Sequence, residues 1–108
     1  MNDYYTLAFL QGFVKDTEER KGHINDSIKT KLMILIEEFG ELAKALRIFL
    51  RMRIHDKTAK HNLSDEFGDV LFLVIAIANR CDINLTDALV DKINKDEKKV
   101  YKPAEEVD

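Results

Sequence analysis

Apolar positions along the chain fall into four blocks at helical spacing, with polar breaks between them. In the first, Leu7, Leu10, Phe13 and Val14 recur three and four apart, which predicts a helix from about Asp3 to Lys21 that Gly22 stops. The stretch "HINDS" then offers Asp26 or Ser27 as an N-cap, and a second helix runs without a breaker to about Arg53. "IHDKTAKHN" reads as a loop. Ser64 follows as the cap of a third helix, with Asp65 and Glu66 in its electropositive first turn. Periodicity alone would allow "VLFLVIAIA" to be a buried strand. The stretch from Asp65 to Arg80 has no turn signal, however, and far exceeds the five or six residues of an ordinary strand, so it is assigned as helix. "CDIN" is a turn, and a fourth helix runs from about Leu85 to near Lys102, where Pro103 ends it and leaves "AEEVD" as a frayed tail. Four helices with short connections predict an all-α, four-helix bundle-like domain over residues 1–108.

Two segments break the usual amphipathic pattern. On the second helix, Leu32, Leu35, Ile36, Phe39, Leu42, Ala43 and Leu46 form one apolar stripe, with Glu37, Glu38 and Glu41 on the other side. That other side is not an ordinary solvated face, because Ile34, Ala45 and Ile48 lie on it beside Glu41. The third helix repeats the arrangement. Glu66 and Asp69 continue along their face into Leu73 and Ala76, while Phe67, Val70, Leu71 and Val74 cover the remaining sides. The acids are thus expected on partly buried faces of two neighbouring helices. Gly40 and Gly68 each precede the second acid of a pair. A helical glycine costs about 1 kcal/mol relative to alanine, so both suggest a close backbone approach or room for a ligand.

Composition sharpens this picture. Hydrophobic residues make up 45% and charged ones 34%, with one proline and four glycines, as in a helix-rich globular domain. The net charge of −3 is concentrated in the five acids Glu37, Glu38, Glu41, Glu66 and Asp69, and no strong basic excess points to nucleic acid. Cys81 is the single cysteine, expected to be buried and reduced. The amino terminus lacks the pattern of a signal peptide, and the longest apolar run, Val70 to Ala78, falls far short of the ~20 residues needed to span a bilayer, so a cytoplasmic protein without membrane contact is expected.

Several carboxylates facing one another across a helix pair repel, and an unpaired buried charge costs several kcal/mol. Apart from Lys44 beside Glu41, no lysine or arginine stands three or four residues from Glu38, Glu41 or Asp69. A divalent cation is therefore the expected counter-charge. Oxygen-only donors favour a hard ion, Mg²⁺ or Mn²⁺. A di-iron site would want Glu-x-x-His, but Arg20, Met52 and Thr58 stand three residues before His23, His55 and His61, which are expected at the surface.

The spacing Glu37-Glu38-Phe39-Gly40-Glu41, then residues 42–65, then Glu66-Phe67-Gly68-Asp69 resembles the all-α nucleoside triphosphate pyrophosphohydrolases of the MazG type. The similarity extends through "LMILIEEFGELAKAL" and "DEFGDVLFLVIAIANRCDINLTDAL" into a lysine-rich helix, a core of about residues 31–101. The resemblance implies Mg²⁺-dependent cleavage of (deoxy)nucleoside triphosphates between the α and β phosphates, giving a monophosphate and pyrophosphate. It further implies Glu38, Glu41, Glu66 and Asp69 as metal ligands and Glu37 as the residue that orients or deprotonates the attacking water. Lys92, Lys95 and Lys99 match the basic segment with which relatives contact the substrate, but Asp96 stands where they carry asparagine, and lysine replaces a final arginine. No tryptophan is present to stack a base, leaving Phe9, Phe13, Tyr4 or Tyr5 as substitutes. Relatives are generally dimers or dimers of dimers, which implies a homodimer or homotetramer, expected here to form through the hydrophobic third helix. The competing readings are a phosphoribosyl-ATP pyrophosphohydrolase and a non-catalytic helical nucleotide-binding module.

Overall fold

A computed structural model of the chain describes residues 6–52 and 57–98. Its helices are α1 (Leu7–Lys21), α2 (Ile28–Met52), α3 (Lys57–Arg80) and α4 (Leu85–Glu97), with a single 3₁₀ turn at His23–Asn25 and no strand among the described residues. The expected all-α architecture is what the chain adopts.

Side chains set the starts of three of the four helices. Thr6 caps α1 by accepting from the Phe9 N–H, so the helix begins at Leu7 rather than near Asp3. Gly22 closes α1 in the left-handed conformation, φ 77°, with its N–H donating to the Glu18 and Glu19 carbonyls. Ser27, not Asp26, takes the Thr30 N–H at the start of α2. Asn84 caps α4 through the Asp87 N–H. That helix ends at Glu97, short of the expected Lys102, with Lys98 already in a turn; Lys99 and Pro103 lie outside the described residues.

The third helix departs most from expectation. It starts at Lys57, so most of "IHDKTAKHN" is helical and Ser64 is an exposed mid-helix residue instead of a cap. The physical reason is burial. Ala59 and Leu63 are buried, and with Glu66 and Val70 they continue one face at helical spacing. Packing that face extends the helix two turns upstream of the best capping residue.

Helices α2 and α3 form the main pair, and only residues 53–56 join them, as antiparallel neighbours require. Val14 of α1 packs against Ile75 and Ala76 of α3, with Phe72 and Leu85 around them. A buried glutamine ties the remaining pieces together. The Gln11 amide donates to Asn79 Oδ1 (2.9 Å) and the Ile83 carbonyl (2.8 Å), and its oxygen accepts from the Leu85 N–H (2.8 Å). Asn79 returns a bond to the Gln11 carbonyl. Every polar atom of the Gln11 side chain is engaged, which fixes α1, the end of α3 and the start of α4 at one junction. Cys81, expected inside, is exposed in the turn that follows α3.

The helix pair is inverted relative to an ordinary amphipathic arrangement. The acid-bearing face of α2 packs on α3, whereas the apolar stripe faces outward, from 41% exposed at Leu46 to 66% at Leu50, with Leu32, Ile36 and Phe39 between. Leu35 is the stripe's buried member. On α3, Val70, Ile75, Ala76 and Ala78 are buried within the chain while Phe67 and Leu71 stay exposed. Gly40 and Gly68 do not serve a close backbone approach: a Cβ at either position would meet no atom within 4 Å.

Inside the bundle, Glu18 of α1 and Lys31 of α2 form a salt bridge, each side chain almost fully buried. Removing one partner strands the other charge. Lys31→Met should therefore destabilise the fold by about 3–5 kcal/mol, while Glu18→Leu combined with Lys31→Met should be close to neutral. Denaturant titration of the three proteins checks the contrast.

Candidate metal centre

The acids come together because α2 and α3 run antiparallel in register: residues toward the end of α2 meet residues toward the start of α3. Thus Ile48 and Ala59 line one cavity with Glu41 and Glu66, and Ile34 and Leu73 line another. Between those layers, Glu38, Glu66 and Asp69 each bring a carboxylate oxygen within 4.8 Å of the others. Glu38 and Glu66 are half-buried and Asp69 is exposed. Among the described residues no lysine, arginine or histidine lies within ion-pair distance of these three.

Glu66 shows the strain of this arrangement. Its Oε2 is buried without a hydrogen-bond partner. Burial, a hydrogen bond with Glu38, and repulsion from Glu38, Asp69 and Glu41 together raise its carboxyl above the ordinary carboxylate range. Beyond the cost of burial, three carboxylates this close repel one another, which is why the folded protein favours a proton on Glu66 more than the free side chain does. A divalent cation would replace that proton, satisfy the orphaned oxygen and accept all three carboxylates. The donor set fits a hard ion, since it is oxygen only and open toward solvent at Asp69.

A pH dependence follows. Because the folded state holds the Glu66 proton more tightly than the unfolded chain, it binds more protons between the ordinary carboxylate range and the raised value. Glu66's contribution to stability therefore falls as pH rises through that window. For the metal-free protein, Glu66→Gln should flatten the decline in Tm across weakly acid pH. A divalent cation should raise the wild-type Tm most at the upper end of the window. Thermal melts in chelator and in Mg²⁺ or Mn²⁺ read both effects.

The structure treats the other expected site residues unequally. Glu41 is exposed and lines a cavity of about 190 Å³ with Lys44, Asn62 and Glu66, beside the three-acid cluster. Glu37 is exposed, one helical turn before Glu41. The α4 residues are not brought to the acids. That helix packs on α1, Lys92 pairs with Asp96 at 3.1 Å and borders a cavity with Leu71 and Val74, Lys95 is exposed, and Lys99 lies outside the described residues. Phe9 and Phe13 make an edge-to-face pair, both exposed; Tyr4 and Tyr5 are outside the described residues. His23 and His61 are surface residues paired with Asp26 and Asp65, and His55 is outside the described residues. Lys44, already noted beside Glu41, lines the site together with Asn62, which sequence reasoning missed although it stands four positions before Glu66.

A helix pair that gathers carboxylates from both members, with no basic residue within ion-pair distance among the described residues, gives this all-α protein a candidate cation site. The family model for the MazG nucleotide pyrophosphohydrolase domain matches residues 26–101, well over half of the chain and all five acids, and the chain belongs to that family. No curated protein matches it. Among the described residues, no helix is long and apolar enough to cross a membrane.

Proposed function

We propose that this protein hydrolyses (deoxy)nucleoside triphosphates at the α–β phosphoanhydride, releasing a monophosphate and pyrophosphate, with Mg²⁺ as the resident ion and Mn²⁺ as a substitute. The observation that supports it most is the cluster of Glu38, Glu66 and Asp69 with its orphaned Glu66 oxygen, lying within the family-matched segment. Glu38, Glu66 and Asp69 would hold the ion, and Glu41 completes the set from its place on the neighbouring cavity wall. When bound, the ion neutralises charge on the phosphates and lowers the pKa of a water it contacts. Glu37, exposed beside the cluster, orients the attacking water and accepts its proton. Lys92, Lys95 and Lys99 are assigned to the phosphates. Because α4 packs on α1 rather than on the acid-bearing helices, those side chains would reach the site from a second copy or by a closing movement of α4.

Self-association belongs to the same reading. The outward stripe of α2 and the exposed Phe67 and Leu71 of α3 place large apolar side chains at the surface, the kind of feature that marks an association face. A homodimer, or a tetramer of two such dimers, covers it. The protein is assigned to the cytoplasm, where its substrates are.

The deciding experiment incubates purified protein with a panel of triphosphates and phosphoribosyl-ATP in Mg²⁺, with chelated controls. Pyrophosphate from ordinary nucleotides supports the proposal. Inorganic phosphate with a diphosphate, full activity after chelation, turnover of phosphoribosyl-ATP alone, or no turnover of any substrate would each overturn it.

A further inference from the structure

The acid cluster lies between two cavities of different character. On the side of Glu41 and Glu66, the lining includes Lys44, which makes no ion pair among the described residues, and Asn62. On the side of Ile34 and Leu73 lies a cavity of about 250 Å³, walled also by Phe72, reached by Glu18 and Lys31, and rimmed by Thr17, Lys21 and the His23–Asp26 pair. Ile34 and Leu73 stand one helical turn from Glu38 and Asp69, about 6 Å along the axes, and Lys31 lies about 10 Å from Glu38 by the same rise. That is the reach of a nucleoside from its phosphate. The cation-bearing cavity suits the outer phosphates. The other, with the apolar wall of Ile34, Phe72 and Leu73 facing polar residues, suits a sugar and a base.

Its floor is chemically specific. Glu18 and Lys31 are both at least nine-tenths buried and spend one acceptor and one donor on each other. Neither makes another side-chain hydrogen bond among the described residues. Lysine has three N–H donors and a carboxylate about four acceptor sites, so the pair keeps a donor and an acceptor side by side. Neither residue has a buried side-chain atom left without a partner, so the unspent donor and acceptor open on the cavity.

We propose that this cavity is the nucleoside pocket and that the Glu18–Lys31 pair reads the base edge, selecting bases that carry an exocyclic amino group; this rests on the triphosphate hydrolase reading above. Cytosine offers its amino N–H to Glu18 and its ring nitrogen to Lys31. Uracil, equal in shape, sets a carbonyl oxygen against the carboxylate and leaves it unmatched. Buried polar groups without partners are what make such a site discriminate.

The test titrates CMP and UMP into the metal-free protein and follows backbone amide shifts. CMP should bind roughly 10-fold or more tightly than UMP, with shifts at Ile34, Phe72 and Leu73. Glu18→Leu combined with Lys31→Met should erase the preference while leaving helicity and Mn²⁺ affinity in place. Equal binding of the two nucleotides, shifts confined to other surfaces, or a preference that survives in the double variant would each overturn the assignment. The wild-type comparison needs no variant to fold. Because it uses products and no metal, it is separate from hydrolysis: CMP preference without pyrophosphate release from CTP keeps the pocket and removes the hydrolase reading. Pyrophosphate release without CMP preference does the reverse.

Discussion

Glu37→Gln should keep divalent-ion binding and the fold while lowering turnover by about 10²–10⁴-fold, the usual contribution of a general base. Asp69→Asn and Glu38→Gln should instead lose ion affinity, by at least ~10²-fold, because each removes a charged member of the cluster rather than a supporting group. The difference is geometric. Glu38 and Asp69 face each other across α2 and α3, whereas Glu37 points about 100° away from Glu38 around its helix and is exposed. It can touch a water beside the cluster without joining the ligand shell. Calorimetric titration of Mn²⁺ alongside turnover separates the roles. Loss of ion binding in Glu37→Gln equal to that in Asp69→Asn, or near-normal turnover, would show that Glu37 has been given the wrong task.

Leu32→Glu combined with Leu46→Glu should convert a self-associated protein into monomer, weakening association by ~10³-fold or more. Both residues lie on the outward stripe of α2, away from the acid-bearing face. A two-fold interface meets each substitution twice, so the pair would place four carboxylates in an apolar contact, each costing several kcal/mol if left unpaired. Metal affinity should persist, since no member of the acid cluster is changed. Sedimentation velocity at tens of micromolar reads the result. A wild-type protein that sediments as a monomer would remove the interface altogether.

The acids were legible in the sequence because their chemistry conflicts with their surroundings: carboxylates at i, i+3 spacing inside apolar helices demand a counter-charge wherever the helices pack. The helix count and most helix ends were legible for a local reason, since signals such as Gly22 and Ser27 act on backbone groups only a few residues away, whereas the Thr6 cap was passed over for a start near Asp3. The start of α3 was not. Ser64 carried the stronger local signal, but burial of Ala59 and Leu63 against the rest of the fold outweighed it. Cys81 was misplaced for a similar reason. A small apolar side chain is usually interior, yet this one falls in the turn that the Gln11 junction positions.

What the sequence by itself determined was the inventory: four helices, two acid pairs, and the family to which their spacing belongs. Periodicity and capping are properties of neighbours in the chain, and they survive whatever the chain packs against. The tertiary structure decided which faces meet. Both sides of α2 carry apolar residues, so its pattern could not say which side turns inward, and the fold turned the acid face toward α3 and left the longer apolar stripe outside. It likewise joined Glu18 to Lys31 across two helices and held α4 against α1, away from the acids. Those pairings depend on residues distant in sequence, and only the packed chain brings them within reach.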